Sequence, residues 1–207
     1  MGIELIVFEL VVLVFSVILH EIAHGAVAYR LGDDTAYRLG RLTLNPVSHI
    51  DPFGSILLPL LLSLPLLFGQ TPVIVGWAKP VPYDPRFLKD PKRGAGLIAL
   101  AGPATNILIA VAFTILMAAF RGNAALVMAF NYVVVMNLML AVFNCVPIPP
   151  LDGSKMLEAI LPDRSPVIAF LERNSFMLLI AFILFGLGIV QGIVSIIYAA
   201  LMALIGA

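Results

Sequence analysis

The sequence predicts an all-α polytopic membrane protein with about five to six membrane helices, plus a short β element and a re-entrant segment within residues 41–70. Three observations predict it. Of 207 residues 61% are hydrophobic and only 12% charged, and the mean hydropathy is +1.08, beyond what a soluble globular domain shows. The apolar residues gather into runs of about 20 or more, the length a ~30 Å hydrocarbon core requires. Between the runs lie short segments rich in Pro, Gly and charge. Twelve basic and twelve acidic side chains cancel, so no nucleic-acid partner is expected. The single cysteine, Cys145, excludes an intrachain disulfide and reads as a small buried apolar residue rather than a nucleophile.

The first run extends from about Ile3 to Tyr29 and stops at Arg30, before the helix-ending Gly32-Asp33-Asp34. Glu4 and Glu9 stand where a signal peptide would be basic, and no small-residue cleavage pattern follows, so this helix is expected to be retained. Inside it lies His20-Glu21-Ile22-Ala23-His24. Helix positions four apart share a face, so the two imidazoles sit about one turn apart, a separation one zinc ion can bridge. Glu21 lies beside that face, within reach of a water without being a ligand, as in H-E-x-x-H metallopeptidases. The plainer reading makes both histidines packing residues with satisfied nitrogens. Against it, two imidazoles and a carboxylate at membrane depth need a partner. At ~1.5 Å per residue the imidazoles lie about 9 to 15 Å below the surface marked by Arg30.

Residues 31–54 are turn-rich, with a possible strand at Arg41-Leu42-Thr43-Leu44. The apolar stretch 55–68 is short for a span and carries Pro59 and Pro65, so it reads as re-entrant. A loop from Gln70 to Gly96 precedes a span from about Leu97 to Phe120, a turn at Arg121-Gly122-Asn123 and a span from about Leu126 to Val146. After Pro147 to Gly153 a short helix is predicted over Ser154 to Leu161. The tail from Ser175 to Ala207 exceeds one span, and Gly186, Gly188, Gln191 and Gly192 divide it into two. If residues 55–68 do not cross, eleven basic residues share one side and Arg121 stands alone; if they do, the split is four against eight. The positive-inside bias favours the first arrangement and makes the eleven-residue side cytoplasmic, with an outward N-terminus.

A catalytic zinc takes three protein ligands and leaves a position for water. His49 and Asp51 are possible donors, but they belong to a wetted loop, and Asp-Pro is a common turn element. Glu9 shares the face of His20 yet lies about 16 Å away along the helix, which rules it out. Asp152 is the better candidate. It ends a proline-broken stretch, Asn144 to Gly153, whose irregular backbone is tolerated at membrane depth only when buried or lining a cavity. Lys155, three residues on, puts it near the same face as His24. The competing reading makes Asp152 the N-cap of the following helix.

His20-Glu21-Ile22-Ala23-His24, the distal Leu151-Asp152-Gly153, Asn144 eight positions before that aspartate, and Gly102-Pro103-Ala104-Thr105-Asn106 together resemble the site-2 protease family of intramembrane zinc metalloproteases. The likeness covers most of residues 10–160. It implies that His20, His24 and Asp152 hold Zn2+, that Glu21 is the general base, and that a peptide bond in or near a substrate's transmembrane helix is hydrolysed. The chain resembles the compact subgroup without PDZ or CBS domains, carrying the Leu42-Thr43-Leu44-Asn45-Pro46 and Gly76-Trp77-Ala78-Lys79-Pro80 loops. Residues 1–207 then form one membrane-embedded metalloprotease domain, with a catalytic core of about 3–161 and a hydrophobic tail at 175–207.

On this reading the partners are a transmembrane protein or peptide substrate, the lipid bilayer and a regulatory membrane partner. The location is a prokaryotic plasma membrane, multi-pass, with the active site near the cytoplasmic face. Asn144 either donates a hydrogen bond to the developing oxyanion or bonds between helices. Asn106 and Asn137 read as helix-packing groups, and Gly102-Pro103 as a close approach or kink. The Arg41 to Leu44 strand would pair with the unwound substrate by edge addition. The alternative is a polytopic metal-binding transporter or permease using the same His/Asp cluster, which has no need of Glu21.

Overall fold

The structure, a computed structural model, describes residues 3–57 and 78–206. Helix α1 (Ile3–Arg30) closes on Arg30, a cation at the negative end of the helix dipole. One turn of helix, α2 (Thr35–Arg38), follows. Helix α3 (Pro91–Ala119) begins where the Asp90 carboxylate accepts the Arg93 N–H at 3.0 Å, with Pro91 at the first helical position. The predicted turn at 121–123 separates it from α4 (Ala124–Asn144), whose start the Asn123 side chain caps. Then come α5 (Asp152–Ile160), α6 (Pro166–Arg173), α7 (Ser175–Phe185) and α8 (Leu187–Leu204).

Helix α3 is the centre of the bundle, packed against α1, α4 and α5. Its buried positions, among them Gly94, Ile98, Gly102, Asn106, Ala110, Thr114 and Met117, recur at helical spacing and form one continuous inner face. At the far end Ala110, Met117, Val134, Leu138, Val190 and Val194 close a core between α3, α4 and α8. Leu108, Met128, Phe185 and Ile196 stay exposed, as lipid-facing side chains do.

Among the described residues four helices are long and apolar enough to cross a membrane, and a fifth if α6 and α7, bent by 77°, count as one span. This lowers the expected five to six. The tail divides at Gly186 as predicted, but α7 is left with 11 residues, about 16 Å, half a hydrocarbon core.

The predicted strand at Arg41 to Leu44 is absent: the described residues contain no strand. An alternating Arg-Leu-Thr-Leu pattern reads as β, but there is no partner ladder. Arg41 is instead buried, its Nη2 donating to the carbonyls of Lys79 at 2.7 Å and Pro80 at 3.3 Å. The re-entrant stretch lies outside the described residues from 58 onward; residues Pro52–Leu57 form a wide helical turn. The Asp51 carboxylate accepts the Phe53 and Gly54 N–H groups at the start of that turn. The carbonyl of His49 accepts the Lys79 N–H at 2.9 Å, so the chain at 49 and at 79 lies on one side of the bundle. Cys145, expected to be buried, is exposed where α4 ends and the chain leaves the helical packing.

Candidate metal centre

The two histidines of α1 face inward because α1 lays this side against α3, and both are buried. The His20 Nδ1 is 2.6 Å from Asn106 Oδ1, and the His24 Nδ1 is 2.6 Å from the carbonyl oxygen of Ile98. Both partners are acceptors, so each Nδ1 carries the proton and each Nε2 presents a lone pair. The rings stand at 86° with centroids 4.6 Å apart.

Asp152 is brought to them by a backbone contact. A Cβ at Gly153 would collide with the carbonyl of Cys145, so only glycine lets the start of α5 seat against the end of α4. The N-cap of α5 is Leu151, and Asp152, its first residue, caps nothing. Its carboxylate turns to the histidines instead. Oδ2 lies 3.1 Å from His20 Nε2 and 3.4 Å from His24 Nε2, and the three donor atoms are within 4.8 Å of one another.

This arrangement fits a metal ion on physical grounds. Two Nε2 lone pairs and a carboxylate oxygen converge, and Asp152 Oδ2 is buried without a hydrogen-bond partner among the described residues. A proton on either Nε2 would satisfy one ring and leave the other lone pair facing the oxygen. A cation answers all three. Ligands about 2.1 Å from a tetrahedral ion lie about 3.4 Å apart, close to the separations found. Gly102 completes the fit: a Cβ there would stand 2.5 Å from Nε2 of both histidines, so the backbone of α3 forms a wall of the site.

Glu21 lies beside the cluster, and its Oε2 accepts the Val81 N–H at 2.7 Å. Val81 belongs to an extended strap, residues 78–84, tied down along its length. Lys79 N–H bonds to His49, the Lys79 and Pro80 carbonyls bond to Arg41, and Asp84 N–H bonds to the fully buried Asp33 at 2.6 Å. A recess of about 500 Å³ opens between the strap and α5, bordered by Tyr83, Lys92, Lys155, Glu158 and Arg164. Burial pushes the Tyr83 phenol above its ordinary range.

The structure thus gathers His20, His24 and Asp152, with Glu21 adjacent. Asn144 makes no hydrogen bond to any of them; its amide donates to Leu140 one turn back on α4. His49 is buried, with Nε2 2.8 Å from the Thr43 carbonyl, and like Asp51 and Glu9 it stands apart from the cluster.

The sequence marked Asn106 and Asn137 as helix-packing groups but did not show that Asn106 reaches His20 or that Ser16 joins them. Asn106 Nδ2 donates to Asn137 Oδ1 at 2.8 Å, and Asn137 Nδ2 donates to Ser16 Oγ at 3.0 Å. All three side chains are buried, so a polar chain runs from α1 through α3 and α4 back to α1. A signal existed in Ser16, which precedes His20 by four residues and so shares its face. Asn106→Ala is expected to lower zinc affinity about 10- to 100-fold, since it frees the His20 ring and leaves Asn137 Oδ1 without its donor. Competition with a zinc chelator measures this, and unchanged affinity would show that the amide does not orient His20.

Comparison with known proteins adds three findings. The profile of the family described as Peptidase family M50 matches residues 117–187, the part bearing Asn144 and Asp152. Relatives that carry the name "Putative zinc metalloprotease" include YwhC of Bacillus subtilis, MJ0611 of Methanocaldococcus jannaschii and Rip2 of Mycolicibacterium smegmatis. YwhC is 39% identical over 170 residues, covering 77% of this chain and 71% of that protein. MJ0611 is 31% identical, covering 76% and 72%. Rip2 is 30% identical and covers 82% of this chain, which spans 63% of Rip2. No solved structure matches the chain.

Proposed function

Because this chain belongs to peptidase family M50, the site-2 proteases, a family of zinc enzymes, we propose that it hydrolyses a peptide bond within or near the transmembrane segment of a membrane-protein substrate. The observation that carries this reading is the convergence of His20 Nε2, His24 Nε2 and Asp152 Oδ2 with both outer ring nitrogens already committed. Residues 1–207 act as one membrane-embedded domain, with the catalytic core at about 3–161.

His20 Nε2, His24 Nε2 and Asp152 Oδ2 would hold the zinc. When bound, the ion supplies Lewis acidity toward a water and toward the scissile carbonyl. Glu21 does the proton work: Oε2 is held by the Val81 N–H, which leaves Oε1 to take a proton from the attacking water and return it to the leaving amine. Asn106 and Ile98 keep each Nδ1 protonated, so neither ring turns during the reaction. Asn144, at the last turn of α4, donates to the substrate carbonyl oxygen as negative charge develops, after its amide leaves the Leu140 carbonyl. The substrate helix unwinds first, since its carbonyls are otherwise bonded within the helix. The pairing of His49 with Lys79 supports the arrangement in which eleven cations share the cytoplasmic side, so the site faces the cytoplasm of a prokaryotic plasma membrane.

The test is zinc content and cleavage of synthetic transmembrane peptides by purified wild type and Asp152→Ala. Wild type is expected to hold about one zinc per chain and to cut; the variant is expected to do neither while keeping its helical content. Full zinc binding by Asp152→Ala would refute the ligand set.

A further inference from the structure

We infer that the groove between the end of α1 and the start of α3 binds the phosphate of an anionic phospholipid. The groove, about 250 Å³, is lined by Arg30, Lys89, Asp90 and Arg93 over an apolar floor that includes Leu88 and Leu97. Three cations meet one carboxylate there, and that carboxylate is committed. Asp90 caps α3 through the Arg93 N–H and lies 3.5 Å from Arg93 Nε. Arg30 and Lys89 have no hydrogen-bond or ion-pair partner among the described residues, so the groove presents two uncompensated positive charges. Each is exposed, Arg30 as the last residue of one candidate span and Lys89 just before the start of the next at Pro91.

The floor decides what kind of anion fits. Leu97 is the first of an exposed apolar track on α3 that continues through Ala104, Leu108 and Ile115 at helical spacing, opposite the buried face that carries Gly102 and Asn106. A free phosphate has no use for that track. A phospholipid uses both parts, its headgroup phosphate against Arg30 and Lys89 and its acyl chains along the leucines. The site also has a structural consequence. Beneath the groove Ala28 of α1 packs with Leu88 and Ile98, and the Ile98 carbonyl holds His24. A headgroup bridging Arg30 to Lys89 and Arg93 therefore clamps together the two helices that frame the metal site. The inference depends on the chain spanning a membrane and not on its proteolytic activity.

The experiment compares full-length protein in phosphatidylcholine nanodiscs with and without phosphatidylglycerol, reading melting temperature and, by native mass spectrometry, the lipid retained. Wild type is expected to retain phosphatidylglycerol and to melt higher when it is present. In Arg30→Gln/Lys89→Gln retention should fall about fivefold for each charge removed, and the melting difference should vanish. Zinc content should stay at the wild-type level, since both side chains are exposed. Arg121→Gln, at the far end of α3, should behave as wild type. Undiminished retention in the double variant would overturn the proposal. So would displacement of the lipid by millimolar orthophosphate, which would mark a site for free anions.

Discussion

Glu21→Gln is expected to slow peptide hydrolysis by about a hundredfold to ten-thousandfold, the usual contribution of a general base, while zinc content and melting temperature stay unchanged. The two side chains have the same shape, and the amide oxygen can accept the Val81 N–H in place of Oε2. What the amide lacks is a basic oxygen for the water's proton. The measurement is single-turnover cleavage of a synthetic transmembrane peptide, with metal analysis on the same preparation. Wild-type turnover in this variant would remove Glu21 from the chemistry. A permease built on the same cluster predicts a different outcome, ion flux that does not respond to the substitution.

The second large effect is expected from Gly102→Ala. The added methyl would stand 2.5 Å from His20 Cε1, His20 Nε2 and His24 Nε2, far inside van der Waals contact. Neither ring can yield freely, because each is held from behind by a 2.6 Å hydrogen bond. Either α3 backs away from α1, at an overpacking cost of about 1–3 kcal/mol, or the donor atoms separate. Both routes weaken the metal site, and zinc affinity is expected to fall by about 100-fold or more, since loss of support alone costs about 10- to 100-fold. Gly122→Ala serves as the control: nothing lies within 4 Å of a Cβ there, so zinc affinity and stability should not move. Wild-type zinc affinity in Gly102→Ala would mean that α3 does not wall the site.

The parts of the site legible in the sequence were those set by local geometry. The four-residue spacing of His20 and His24 needs only a helix to bring the rings together. Asp152 stood out because three prolines break the backbone before it, where irregular chain must have a reason. What stayed hidden depends on how elements meet. Asn106 and Asn137 read as packing groups, and they do bond between helices; that Asn106 also reaches His20 depends on the rotation of α3 against α1. The hold of Val81 on Glu21 joins residues 60 positions apart through a backbone N–H, which no side-chain pattern encodes. The strand expected at Arg41 to Leu44 failed for a related reason. Its alternation suggested one wet and one dry face, whereas the buried Arg41 spends its guanidinium on loop carbonyls.

The three donors also arrive at very different times while the chain is being made. His20 and His24 leave the ribosome with the first helix, and Asp152 follows 128 residues after His24 (152 − 24), when α3 and α4 have already been translated. A nascent chain therefore carries an imidazole pair without its carboxylate through most of insertion. The site becomes complete only when the helices that frame it are present.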